Sequence, residues 1–70
     1  NLNRYVVKSG DMNCCVLSTS RKEAVIEAVT NCWATHLGRL IYCKQIGVDS
    51  TGYWFHSEDT LRSALKLQEG

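Results

Sequence analysis

Residues 20–38 read SRKEAVIEAVTNCWATHLG, and this stretch decides the fold. Ser20 with Glu23 three residues later matches a capping box: the serine hydroxyl accepts from the Glu23 backbone N–H, and the carboxylate returns to the Ser20 N–H. Val25, Ala28, Val29, Cys32, Trp33, His36 and Leu37 then recur at three- and four-residue spacing, the period of a helix with one apolar stripe. Gly38 supplies a left-handed stop. The spacing predicts a helix over 21–37 that needs a surface to pack on.

That surface is readable on both sides of the helix. Upstream, RYVVKS (4–9) alternates Tyr5 and Val7 against Arg4, Val6 and Lys8, SGD (9–11) is a glycine turn, and Met12 to Ser18 is a second strand. Downstream, RLIYCKQI (39–46) is strand-like, GVDSTG (47–52) is a loop and YWFH (53–56) is a short aromatic strand. Ser57, Glu58 and Asp59 cap a last short helix whose apolar contacts are Leu61, Leu65 and Leu67. The order is ββαββα. The fold class is α+β: a four-stranded, largely antiparallel sheet with the long helix across one face and the short C-terminal helix at an end or edge. Strand order stays open at this point. The second and third strands would pair parallel across the helix, whereas the first and third would pair antiparallel.

The 70 residues form one domain, 1–70, without proline, repeat or linker. A single core of this size rarely supplies more than about 3–5 kcal/mol, so oligomerisation or another staple is expected to assist it. Eight basic against seven acidic side chains, with no run of one sign, give no net field toward phosphates or anionic lipid. No apolar run approaches a membrane span of roughly 20 residues, and no leader pattern opens the chain. The expectation is a cytoplasmic protein with no membrane partner.

The cysteines raise the question of chemistry. Cys14 and Cys15 are adjacent, so in a regular strand they point to opposite faces and cannot converge on one metal. Cys32 and His36 have ligand spacing on the helix, but the same spacing marks the buried stripe, where cysteine packs as a small hydrophobe. His36 in the last turn suits the helix C-terminal dipole. A Cys14, Cys32, His36 and Cys43 cluster lacks the spacing of a zinc site. Reduced, core-filling thiols are therefore expected, with no metal, no cofactor and no catalytic residue. The acids are caps or turn residues, and no glycine-rich phosphate loop is present.

Strand alternation divides the remaining side chains. Tyr5, Val7, Cys14, Val16, Ile41, Cys43, Tyr53 and Phe55 are expected to face the helix, leaving Val6, Cys15, Leu17, Tyr42, Trp54 and His56 on the reverse. That reverse set is too apolar for a solvated face and is the candidate interface. The leading expectation is a self-associating protein-interaction module without catalysis, a homodimer built on this face. A competing arrangement has the C-terminal helix cover the face within one chain. The alternative function is single-stranded nucleic-acid binding through sheet aromatics beside Lys8, Arg39 and Lys44, against which the balanced net charge speaks.

YVVKSGDMNCCVLSTSRKEAVIEAV (5–29), LGRLIYCKQIG (37–47) and YWFHSEDTL (53–61) together resemble small uncharacterised proteins of marine bacteriophages. The resemblance spans nearly the whole chain. It implies the same hairpin, capped helix, Leu-Gly exit and closing strand and helix. Such proteins carry no assigned activity, so the resemblance lends no site residue; it favours an accessory or interaction role.

Overall fold

Gly10, at φ 56°, closes the first turn in the left-handed region that glycine enters without a steric cost. It joins β1 (Asn3–Ser9) to β2 (Met12–Ser18), which pair antiparallel from Ser9 opposite Met12 to Asn3 opposite Ser18. The computed structural model describes residues 1–31, 37–48 and 51–69. After β2 the serine half of the expected capping box forms: the Glu23 N–H donates to Ser20 Oγ at 3.2 Å, and the Ala24 N–H donates to the Ser20 carbonyl at 2.9 Å as the first turn of the helix. Helix α1 (Arg21–Asn31) follows, then β3 (Leu40–Gln45), β4 (Tyr53–His56) and α2 (Ser57–Glu69).

The four strands make one antiparallel sheet in the order β2-β1-β3-β4. Of the two open pairings, the antiparallel one between the first and third strands is adopted. Ser9 helps to direct it: its hydroxyl accepts from the Gly38 N–H at 2.9 Å and donates to the Leu40 carbonyl at 2.7 Å. The returning chain is thus fastened beside the end of β1. The core lies between the sheet and α1. Tyr5, Val7, Met12, Ile41 and Cys43 meet Ala24, Val25 and Ala28, with Cys14, Val16 and Phe55 packed around them.

Three details of the sequence reading need correction. Leu37 is not helical, so the helix does not reach the expected 37, and Cys32 and His36 lie outside the described residues. Gly38 is not a left-handed stop, since the described glycines with positive φ are Gly10 and Gly47. Instead Gly38 allows a close approach: a Cβ there would lie 3.3 Å from Ser9 Oγ. The C-terminal helix is not short, and it does not pack through the expected leucines. Leu61, Leu65 and Leu67 are exposed, whereas Ser57, Thr60 and Ala64 are buried. Small side chains at spacings of three and four let α2 approach closely. Ser57 also acts differently from an ordinary cap, because its N–H donates to the Arg39 carbonyl at 3.0 Å and its hydroxyl donates to the Gly38 carbonyl.

Candidate functional site

Helix α2 packs against α1 and β4. It therefore does not serve as the intrachain cover for the reverse face of the sheet, the competing arrangement considered above. The register sets out that reverse face in rows. Asn13, Lys8, Tyr42 and Trp54 run across all four strands, followed by Cys15, Val6 and Lys44, then Leu17 and Arg4. Leu40 and His56 are opposite one another at the far end. Val6, Cys15, Leu17, Tyr42, Trp54 and His56, the candidate residues from the sequence, all belong to this face by strand alternation. Trp54 is 62% exposed and Leu17 55%. Among the described residues, no helix covers them.

The aromatic pair at the β4 side of the face is held in place. The Tyr42 and Trp54 rings have centroids 5.0 Å apart and planes inclined at 59°, within the range of favourable tilted pairs. Gly52 lies beneath Tyr42, and a Cβ at that position would overlap the ring. Tyr42 is thus wedged between the β3–β4 loop and Trp54, and the indole is left outermost. Two depressions open on this face, one beside the pair and one away from it. One, about 420 Å³, is lined by Lys8, Ser9, Gly10, Leu40, Tyr42 and Trp54. The other, about 320 Å³, lies at the opposite corner between Arg4, Cys15, Val16, Leu17 and Ile46.

Charge is divided between the two sides of the molecule. Arg4, Lys8 and Lys44 occupy the open face, and no Asp or Glu occurs in any strand. The described carboxylates are in the β1–β2 turn at Asp11 and on the helices at Glu23, Glu27, Glu58 and Asp59. On α2, Arg62 takes up two of them, reaching Glu58 at 3.2 Å and Asp59 at 3.6 Å. Arg39, expected beside the aromatics, lines a cleft at the start of β3 with His56, Ser57, Glu58 and Asp59. Arg4 takes its place on the face. The sequence signal for Arg4 is its alternation with Tyr5 in β1.

The groups expected to face the helix do so, except that Tyr53 is at the rim, 54% exposed, with the Arg21 guanidinium 4.2 Å from its ring centroid as a cation–π partner. Cys14, Cys15 and Cys43 are present as thiols. Cys43 is buried and its Sγ–H reaches the Arg21 carbonyl at 3.9 Å. Cys14 packs on the core while its neighbour Cys15 is exposed, as opposed strand directions require. Among the described residues no three His, Cys, Asp or Glu side chains converge to hold a metal ion, and no helix is long and apolar enough to cross a membrane. A further cleft of about 260 Å³ opens between α1, α2 and β4; Trp54 and His56 at the edge of the open face line it together with Lys22, Ile26, Phe55 and Asp59. No protein-family model, curated protein or solved structure matches this chain.

Proposed function

We propose that the chain is a non-catalytic binding module of the cytoplasm whose open sheet face takes single-stranded nucleic acid. One observation supports this over the alternatives: three cations and an exposed indole share a face whose described strands contribute no carboxylate. Proteins that hold single strands combine a positive surface that follows the backbone with aromatic rings on which bases stack. Here Trp54 would offer the stacking surface, buttressed by Tyr42, and Lys8, beside Tyr42 on β1, and Lys44, one row along on β3, would meet phosphates. Arg4 would extend the track toward Leu17.

The same charge distribution counts against the expected homodimer with two open faces stacked together. Such a twofold interface sets each copy's patch against itself, so Arg4, Lys8 and Lys44 would face three more cations with no carboxylate from the described strands between them. Desolvating unpaired charge is costly. An anionic partner removes that cost, and a second copy on this face adds to it.

The test is a fluorescence-anisotropy titration of a labelled 12-nucleotide single strand, repeated over a range of salt. Three phosphate contacts on a single strand predict a slope of log K against log salt of about −2. Absence of binding at low salt, or equal affinity for a duplex of the same length, would remove the proposal.

A further inference from the structure

We infer that β2 is a pairing edge at which two copies of this chain join their sheets, a surface distinct from the open face. The backbone register identifies which groups are offered. The Ile46 N–H donates to the Arg4 carbonyl at 2.9 Å, so the main-chain groups of Arg4 point toward β3. Antiparallel ladders alternate direction at each residue. Tyr5 and Val7 therefore point toward β2, where they meet Val16 and Cys14. By the same alternation, the main-chain groups of Asn13, Cys15 and Leu17 point outward, and among the described residues β2 has no second neighbour in the sheet.

Edge strands usually carry something that blocks further pairing: a charge, a proline, a bulge or very short length. β2 carries none of the first three. It is seven residues long, reads MNCCVLS, and pairs residue for residue with β1. The opposite edge, β4, has only four residues and runs directly into α2.

The occupant that fits is a second copy in antiparallel orientation. Setting Cys15 opposite Cys15 of a second copy places Asn13 opposite Leu17 and Leu17 opposite Asn13, so every outward-directed residue of one edge meets one of the other. An uncharged strand meets itself without like-charge repulsion. The face cations are also kept apart. The β1 strands of the two copies would be three strand spacings apart, about 14 Å, beyond the roughly 8 Å Debye length at physiological salt. Joining edges thus doubles the four-stranded sheet and lays two cationic aromatic faces side by side. It also provides the help that so short a chain needs.

The experiment is light scattering from about 10 µM to 1 mM on wild type, on Cys15→Pro and on the pair Asn13→Lys with Leu17→Lys, together with amide exchange on wild type. Proline at 15 removes an N–H that the β1–β2 ladder does not use, so the monomer fold should persist, as checked by circular dichroism. The lysine pair sets added cations of one copy against those of the other. The expected result is a wild-type dimer, at least tenfold weaker association in both variants, and slow exchange at the Asn13, Cys15 and Leu17 amides only when dimeric. If Cys15→Pro fails to fold, the lysine pair and the exchange data carry the test. A wild-type monomer throughout the range would overturn the inference, as would a dimer unaffected by the lysine pair with those amides exchanging freely. Loss of oligonucleotide binding leaves this test unchanged, because its readout is association of the protein alone.

Discussion

Tyr42 and Trp54 stand directly opposite each other on β3 and β4, their ring centroids 5.0 Å apart, at the β4 edge of the face of the sheet that the two described helices leave open. The pair is built from both sides. Cross-strand pairing sets the ring separation, and Gly52 leaves the space that Tyr42 fills. Trp54→Ala removes the outermost ring while leaving the buried core untouched. It should weaken single-strand binding by about 1–3 kcal/mol, the usual worth of one stacked base. The melting temperature should change little, and thermal unfolding monitored beside the titration checks both halves.

Gly52→Ala tests the buttress without touching Trp54. The added methyl group overlaps the Tyr42 ring, so Tyr42 must swing away and the indole loses its partner. Affinity should fall while the number of phosphate contacts stays the same. In the salt titration this appears as a vertical displacement of the line with unchanged slope.

Lys44→Gln should behave in the opposite manner. It removes one cation from the centre of the face, beside Val6, and a single-strand contact contributes about 0.7 to the salt slope. The slope should become shallower by that amount. Lys66→Gln, in the last turn of α2, should leave the slope unchanged.

Ser9→Ala probes the fastening that sets the strand order. Its hydroxyl bonds both the Gly38 N–H and the Leu40 carbonyl in a partly buried position. Leaving such groups unsatisfied costs about 1–3 kcal/mol. Ser20→Ala, at the exposed start of α1, removes one capping bond and should cost about 1 kcal/mol. Chemical denaturation of both variants should rank Ser9 at or above Ser20.

The elements most legible in the sequence were those with local causes. The Ser20–Glu23 spacing located the start of α1 because a cap is a contact between neighbours, and the alternation in β1 and β3 assigned each strand its buried side. Strand order was not legible. It depends on Ser9 meeting Gly38 and Leu40 across nearly thirty residues of chain or more, and a serine at the end of a strand carries no mark of that. The C-terminal helix misled because its leucines are its most hydrophobic residues, yet close packing on α1 selects Thr60 and Ala64 for their size. The character of the open face was hidden in the charge total. Eight cations against seven anions describe a nearly neutral chain, but the register places all the strand cations of β1 and β3 on one face, and the described strands carry no Asp or Glu.

The most direct measurement of the central claim is a map of backbone amide and indole N–H chemical shifts as a 12-nucleotide single strand is added. The account predicts that the Trp54 indole and the amides around Lys8, Tyr42 and Lys44 move together and saturate, while Val25, Ala28 and Ala64, buried on the helix side, stay in place. Shifts centred on α1 and α2, or none at saturating oligonucleotide, would contradict it.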